Sequence, residues 1–419
     1  MKKSKQFLFL ITKERRLELI IYILLEIVLL CFFSLKDIID ITTFSSVVIA
    51  SAISFLVSRI CRLLYKKAED ASKLTADYTA LIKQYNKEEM FRHTNTSDQG
   101  TAEDSLFPII KVADLFGINL NITDNPEEVY QLPNLVSRHY IELLDAHKSS
   151  KIYNNPSIRV NHWAWDEQEN TFRLFTGRTT YFNSMVTNRA MDYKIQESIS
   201  VRDVYECGPY LSPLAQSSLS NHLGFNALVE SSDGYIAFIL RSSNVSIGKH
   251  TFGSSIGASI KVKYALDENR RFTREKLWES VLREMTDELM IDASGISSQN
   301  DVMALAAYRD LVEGGKPQLL FYITTKLSRN EISARFYAPN KGKKKQGDAL
   351  VAKYSQCKSA KEERMLTDGK RLVWFEAKEL LRPETKIYPD KIIYKGKRYP
   401  MVPSTAASVA MFVDWKRQE

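Results

Sequence analysis

Two long apolar segments in the first 65 residues limit most strongly what this chain can fold into. The first covers residues 17–35 and the second residues 41–64, and only residues 36–40 separate them. A helix as long as the first segment measures about 28 Å, close to the roughly 30 Å of a membrane's hydrocarbon core. Because so short a connection forces antiparallel packing, the sequence predicts a two-helix transmembrane hairpin in residues 1–65.

Basic residues lie outside both apolar segments. They cluster in residues 2–16 and 62–67, whereas the connection holds one lysine beside two aspartates. The positive-inside tendency therefore predicts that both termini are cytoplasmic, in a multi-pass membrane protein. The alternative is a cleaved signal peptide, but the first segment contains Glu18 and Glu26 and lacks a small-residue cleavage site.

Polar residues inside these segments suggest a role within the membrane. Glu26 lies near the middle of the first segment, where an ionised carboxylate costs about 2.5–3.5 kcal/mol. Small residues recur every four positions in the second segment and form a stripe that consists of Ser46, Ala50, Ser54 and Ser58. Such stripes allow helices to approach closely. The stripe either packs within the hairpin or, when hairpins assemble into a homo-oligomer, lines a pore together with Glu26.

The rest of the chain has the composition of a folded protein. Hydrophobic residues make up 44% and charged residues 26%, which excludes a chain that is disordered throughout, and the net charge is +8. The four cysteines show no spacing that is typical of zinc sites or disulfides. The patterns predict four further regions, which are a helical connector (66–155), a β-rich lead-in (156–219), a domain of mixed strands and helices (220–385) and a C-terminal extension (386–419).

A helix predicted at residues 273–291 carries the most informative pattern. Four apolar residues follow the 3.6-residue period and predict a buried face, which consists of Trp278, Leu282, Met285 and Leu289. Three carboxylates at spacings of three and four converge on another face, and they belong to Glu284, Asp287 and Glu288. Carboxylate oxygens are ligands that Mg²⁺ and Mn²⁺ prefer. The pattern predicts a site for one of these ions, and the alternative is an ordinary solvent-exposed acidic face.

This helix resembles the signature of the Nudix hydrolases, G-x5-E-x7-R-E-U-x-E-E-x-G-U, where U is a bulky apolar residue. Glu275 is followed after seven residues by the segment 283–291, REMTDELMI. Segments 223–245 and 318–325 are similar to the strands of that family, and segment 248–259 to the loop before its helix. The resemblance covers about residues 220–385. It implies that the three carboxylates bind metal and that Arg283 forms a structural ion pair with Glu275.

The fold class expected from these features is α/β, an N-terminal two-helix transmembrane hairpin followed by a cytosolic Nudix-like α/β/α sandwich. The segment also departs from the Nudix pattern, since Asn269 and Met290 replace its two glycines and Asp287 replaces a glutamate. The shorter Asp287 side chain moves one carboxylate by more than about 1 Å, which exceeds the tolerance of a catalytic site. Whether the chain is an enzyme is therefore open, and a nucleotide sensor is favoured over a hydrolase.

Ligand-binding residues are predicted from position alone. Arg241, Lys249 and His250 lie beside the loop expected to border the pocket, which makes them candidates for binding a nucleotide. A basic insertion at residues 340–347 is either a solvated loop or a contact for lipid headgroups or phosphate. Aromatic residues are not interleaved with this basic run, so the sequence does not predict nucleic-acid binding.

The domain order resembles that of the membrane effectors of cyclic-oligonucleotide antiphage signalling (CBASS), in the type with two transmembrane segments and a Nudix domain. That resemblance implies an effector that binds a cyclic nucleotide made by a partner synthase, oligomerises, disrupts the inner membrane and kills the infected cell. The alternative is a membrane-tethered Nudix pyrophosphohydrolase that acts on nucleoside diphosphate derivatives. Replacing Glu288 distinguishes the two, because only the enzyme needs this carboxylate.

Overall fold

A computed structural model describes residues 24, 53–61, 72–96, 100–147, 150, 153–242, 245–337 and 369–419. The chain divides into two compact units, Met1–Leu74 and Thr75–Glu419. The described fold belongs almost entirely to the second unit, which is α/β with mixed sheets.

The predicted transmembrane hairpin is corrected by the structure. Across the described ranges, no helix is long and apolar enough to cross a membrane. The described helical residues 53–61 hold Ser54 and Ser58 and include the charged Arg59. The predictions of a hairpin and of a multi-pass inner-membrane protein are therefore wrong for this structure. Glu26, Ser46 and Ala50 lie outside the described residues.

The second unit contains eighteen described strands, which form five sheets. They are β1 (Arg92–Thr96), β2 (Ala102–Leu106), β3 (Ile109–Asp114), β4 (Asn119–Val129), β5 (Pro156–Asp166), β6 (Thr171–Thr180), β7 (Lys194–Ile195), β8 (Ile199–Ser200), β9 (Gly224–Glu230), β10 (Tyr235–Arg241), β11 (Phe252–Gly253), β12 (Ile256–Ser259), β13 (Val302–Asp310), β14 (Lys316–Thr324), β15 (Gly369–Glu376), β16 (Lys386–Tyr388), β17 (Lys391–Tyr394) and β18 (Lys397–Pro400).

Among the α-helices described in this unit, two have sixteen residues and the others have nine or fewer. They are α1 (Tyr78–Gln84), α2 (Asn134–Arg138), α3 (Tyr140–Asp145), α4 (Tyr181–Val186), α5 (Val201–Tyr205), α6 (Val262–Ala265), α7 (Arg274–Leu289), α8 (Arg329–Tyr337), α9 (Ala377–Leu380) and α10 (Pro403–Gln418).

An eight-stranded sheet forms the centre of the unit. Its strands run in the order β11-β10-β9-β14-β13-β3, with β12 beside β9 and β15 beside β10. The pairing of β14 with β9 is parallel and the other pairings are antiparallel, so the sheet is mixed. Alternate residues of a strand point to opposite faces. In β9, Phe225 and Ala227 pack into the core that contains α7, whereas Leu228 packs into the core that contains α10.

Helix α10 shows that the predicted C-terminal extension is part of the main fold. Val402 precedes it and Pro403 opens it, a position where the missing proline N–H costs nothing. Its residues 403–413 are all buried, and many of them pack with β16 and β17 against the sheet face opposite α7. The strongly apolar side chains of residues 403–413 are confined to the second half of this segment, so the sequence does not predict a helix buried along most of its length; they are Val409, Met411, Phe412 and Val413.

The regions before residue 220 also belong to this fold. The segment predicted as a helical connector contains β1 to β4, and the β-rich lead-in supplies β5 and β6. A second sheet, in the order β4-β6-β5, contributes Leu120, Val160 and Phe172 to the core cluster that holds α7. Helix α7 is therefore buried by two sheets, because each supplies apolar side chains to the same core.

The sequence correctly places α7, and the structure explains where it begins and ends. The Thr273 hydroxyl accepts a hydrogen bond from the Lys276 backbone N–H at 3.3 Å and caps the first turn. Met290 ends the helix in the left-handed conformation, with φ of 62° and ψ of 30°. The Nudix pattern has glycine at this position. The backbone of Met290 therefore adopts a conformation that favours glycine, although the residue is methionine.

We expect Met290→Gly to be more stable than Met290→Ala by about 1 kcal/mol, because a Cβ atom in the left-handed region costs roughly 1–2 kcal/mol. Both variants lose the same half-buried side chain, so their difference isolates the backbone term. Urea unfolding of the two proteins measures it. Equal stabilities would contradict this account of the helix end.

Candidate functional site

The carboxylate face of α7 meets a lysine that the sequence patterns did not single out. Lys261 lies just after β12 and is the residue before α6. Its ammonium Nζ lies 2.5 Å from Glu284 Oε1, and the side chains of Lys261 and Glu284 are only 17% and 6% exposed. The pair is a largely buried salt bridge, and Glu284 is therefore engaged by a cation from the protein itself.

The neighbouring carboxylates keep this lysine charged. Burial opposes the charge on Lys261, but the carboxylates of Glu284, Asp287 and Glu288 outweigh it and raise the pKa of Lys261 above its ordinary value. The ammonium is therefore protonated throughout the neutral range. Burial and the two neighbouring acids in turn raise the pKa of Glu284, against the opposing effect of Lys261.

Asp287 and Glu288 are less exposed than the alternative interpretation, a solvent-exposed acidic face, requires. The Asp287 residue is 2% exposed, and its Oδ1 lies 3.8 Å from Arg283 Nε. Glu288 is half-buried. The interpretation of a wholly solvated acidic face therefore does not hold, because two of the three carboxylate residues are as buried as the apolar residues of the same helix.

A small basic and aromatic surface borders the carboxylates. The Tyr264 ring on α6 has the Arg283 guanidinium carbon 5.0 Å and the Lys263 ammonium 5.3 Å from its centre. Lys263 is exposed and the Arg283 side chain is 43% exposed. These two cations present positive charge to solvent at the edge of the buried Lys261–Glu284 pair. We call Lys263, Tyr264 and Arg283 the basic rim.

The residues present do not fit the metal that the Nudix resemblance implies. A divalent ion needs several oxygens that converge on one point, but Lys261 occupies one oxygen of Glu284 and Asp287 lies against Arg283. Within the residues that the structure describes, no group of three or more His, Cys, Asp and Glu side chains is arranged to hold a metal ion. At the predicted Mg²⁺ or Mn²⁺ site, which comprises Glu284, Asp287 and Glu288, a protein cation therefore pairs with one carboxylate oxygen of Glu284.

The structure separates Glu275 from this cluster. Glu275 lies in the first turn of α7, eight residues before Arg283, which corresponds to about 12 Å along the helix axis. Arg283 lies beside Asp287 instead, so the implied Arg283–Glu275 pair is replaced by an Arg283–Asp287 contact. Glu275 borders a groove at the opposite end of the helix.

Of the predicted ligand-binding residues, Arg241 ends β10, and Lys249 and His250 lie on the loop that follows it. Arg241 folds back onto this loop, since its guanidinium donates to the Ile247 carbonyl at 3.1 Å. Lys249 is half-buried, and His250 is exposed with a φ of 63°. None of the three has a described contact with the carboxylates of α7. The basic insertion at 340–347 lies outside the described residues.

The sequence pattern does not identify Lys261, because the loop predicted before the helix ends at residue 259. A signal was present, since Lys261 and Lys263 lie in the segment between that loop and the helix. A linear pattern does not say which of two lysines turns inward. An isolated backbone bridge between Lys261 and Ser157 joins this segment to β5, and in this position the Lys261 side chain reaches Glu284.

Comparisons with known proteins add little to this geometry. No protein-family model matches the chain, and no curated protein matches it. Among solved structures, the chain is similar to the crystal structure of DR0079 from Deinococcus radiodurans, with 18% sequence identity and a TM-score of 0.18 over 33% of this chain and 83% of that chain. A similarity this low does not indicate the fold or the function of this chain.

Proposed function

We propose that this chain is a nucleotide sensor that binds its ligand at the α7 surface without hydrolysing it. The observation that carries the proposal is the buried Lys261–Glu284 pair, with Nζ and Oε1 2.5 Å apart. A hydrolase of the implied type needs a divalent ion on this carboxylate. A fixed ammonium at the same oxygen neutralises the charge but cannot coordinate and activate a water molecule as a metal ion does.

The basic rim supports binding of a phosphate-bearing ligand. Lys263 and Arg283 are exposed and both lie beside the Tyr264 ring, so a phosphate that approaches the ring meets charged donors. Behind them, Lys261 balances the charge of Glu284 and weakens the repulsion that three clustered carboxylates would exert on an anion. The ligand class we propose is a cyclic nucleotide, produced by a partner synthase in a response of the CBASS type.

The second candidate is a pyrophosphohydrolase acting on nucleoside diphosphate derivatives. It is favoured only by the Glu284, Asp287 and Glu288 spacing and requires Lys261 to leave Glu284 when a metal binds. The two functions therefore differ in their dependence on Mg²⁺ and on Glu288.

We expect the full chain to gain thermal stability with one cyclic di- or trinucleotide, equally with and without Mg²⁺, and to return that ligand intact. Glu288→Gln is expected to leave this shift unchanged. Arg283→Gln is expected to weaken binding by about tenfold, because it removes a charge-assisted hydrogen bond. The matched control is Arg398→Gln, since Arg398 is 64% exposed and lies outside the rim.

Melting temperature and chromatography of the recovered nucleotide measure both effects in the same sample. Mg²⁺-dependent cleavage of a linear nucleoside diphosphate derivative that Glu288→Gln abolishes would establish the hydrolase instead. Equal weakening by Arg283→Gln and Arg398→Gln would exclude the basic rim as the phosphate site.

A further inference from the structure

A groove at the other end of α7 forms a second candidate binding site. It has a volume of about 660 Å³ and lies between the first turns of α7, the segment from β3 into β4, and the start of β13. Small-molecule sites in proteins have volumes of about 300–1,000 Å³, so the groove is large enough for a nucleoside. Its chemistry depends on six side chains, which belong to Phe116, Asn119, Arg274, Glu275, Trp278 and Asn300.

Two aromatic rings border the groove in fixed positions. The Trp278 indole N–H donates to the Val302 carbonyl at 3.0 Å, and its ring packs edge-on against Phe321 with centres 5.5 Å apart. Phe116 is 46% exposed, and its ring centre lies 5.1 Å from that of Trp415. Anchored rings lose little conformational freedom when a ligand binds, so they are suited to stacking on a planar molecule.

Arg274 adds a third planar group. Its guanidinium carbon lies 5.2 Å from the centre of the Trp278 ring. Guanidinium planes stack on nucleobases in the same way as aromatic side chains do. Asn119 and Asn300 bring amide groups to the same groove, and each amide can both donate to and accept from the edge of a base.

The charges of the groove favour the uncharged base of a nucleotide over its negatively charged phosphate. One cation, Arg274, and one anion, Glu275, lie among the lining residues, so the formal charges cancel. The Glu275 backbone N–H and the Thr273 hydroxyl lower the pKa of Glu275, which keeps it ionised at neutral pH. A carboxylate here disfavours phosphate and accepts hydrogen bonds from amino groups or sugar hydroxyls. We infer that the groove binds the uncharged base and sugar of a purine nucleoside.

This site goes beyond the sensor function proposed above and does not depend on it. Arg274 and Arg283 are nine residues apart on α7, which places the groove about 13.5 Å along the axis from the basic rim. A nucleoside without phosphate therefore probes the groove alone, and a rim variant should leave its binding unchanged.

The test uses the full chain with adenosine and guanosine, followed by calorimetry and by saturation transfer from protein to nucleoside protons. We expect saturable binding of at least one of them, weakened about tenfold or more by Phe116→Ala, since loss of one stacking ring costs a base much of its affinity. Arg274→Gln is expected to weaken binding several-fold. Tyr210→Ala is the matched control, because Tyr210 is 64% exposed and lies outside the groove.

Two results would overturn the inference. One is the absence of binding by both nucleosides, and the other is an affinity that Phe116→Ala and Arg274→Gln leave unchanged. Loss of nucleoside binding in Arg283→Gln would move the site to the basic rim. Failure of the sensor proposal would appear separately, as loss of cyclic-nucleotide binding with nucleoside binding intact.

Discussion

We expect Lys261→Met to lower the free energy of unfolding by about 3 kcal/mol or more at neutral pH, one of the two largest effects that the structure implies. The substitution leaves Glu284, which is 4% exposed, beside Asp287 and Glu288 without its cation. Breaking a buried pair in this way costs about 3–5 kcal/mol, because the remaining charge stays desolvated. Urea unfolding at pH 7 measures the change.

Two further variants separate the ion pair from other causes. The double variant Lys261→Met with Glu284→Met is expected to recover most of the loss, since apolar residues of similar size replace a buried pair at little cost. Lys263→Met removes an exposed lysine two positions away and is expected to change stability by less than about 0.5 kcal/mol. A double variant as unstable as the single one would show that Lys261 acts through packing and not through its charge.

The same variant tests whether the lysine substitutes for a metal. With the ammonium removed, the oxygens of Glu284, Asp287 and Glu288 become available, so millimolar Mn²⁺ should raise the melting temperature of Lys261→Met and leave the wild type unchanged. Lowering the pH should also reduce the deficit, because Glu284 can then take up a proton and lose its charge. If Mn²⁺ affects both proteins equally, Lys261 does not occupy a latent metal position.

The second large effect is expected for Asp124→Asn, which should lower the free energy of unfolding by about 3 kcal/mol. Asp124 on β4 accepts hydrogen bonds from both terminal nitrogens of Arg178 on β6, each at 2.7 Å. It also accepts from the Phe272 backbone N–H at 2.9 Å, just before α7 begins. The side chains of Asp124 and Arg178 are 2% and 12% exposed, so the amide would leave a guanidinium charge buried without its counterion.

The acid dependence of this effect follows from the pKa of Asp124. Burial opposes its ionisation, but hydrogen bonds from Arg178, the Phe272 N–H and Thr176 outweigh burial and lower the pKa of Asp124 below its ordinary value of 3.8. Its contribution to stability is therefore fully present above about pH 3.8 and is lost as pH falls through the lower value of the folded state. The wild type and Asp124→Asn should converge in stability over that acidic range.

Asp104→Asn is the matched control for this experiment. Asp104 also pairs with an arginine, Arg92, but the two side chains are 43% and 62% exposed. Exposed pairs contribute about 0–1 kcal/mol, so this variant should unfold close to the wild type. Similar losses of unfolding free energy in Asp104→Asn and Asp124→Asn would show that burial does not determine how much each ion pair stabilises the protein. Unfolding in guanidinium chloride at several pH values measures both the difference between the two variants and its dependence on pH.

Much of the local structure of the second unit was predictable. The spacing of apolar residues, together with Thr273 at the start, placed α7 within two residues at each end. Segment 223–245, which the sequence predicts to form strands, contains β9 and β10, and segment 318–325 overlaps β14. These predictions succeed because capping and side-chain periodicity are local properties, which a chain carries before any tertiary contact forms.

Predictions that required contacts distant in sequence were less successful. The apolar runs before residue 65 predicted membrane-spanning helices, and the described part of the chain contains none. Lys261 reaches Glu284 across 23 positions of sequence, a contact that the spacing of the acids on α7 does not reveal. The groove at the start of α7 combines Phe116 with Trp278 and Asn300, and no linear pattern connects them.

By itself, the sequence determined the helix α7, the main strands beside it and the set of acids at spacings of three and four. Only the tertiary structure decided what those acids do. It buries α7 between two sheets and turns Lys261, rather than the exposed Lys263, towards Glu284. The physical reason is that a buried carboxylate must find a counterion, and the packing of the segment before α6 determines which cation comes within 2.5 Å of it.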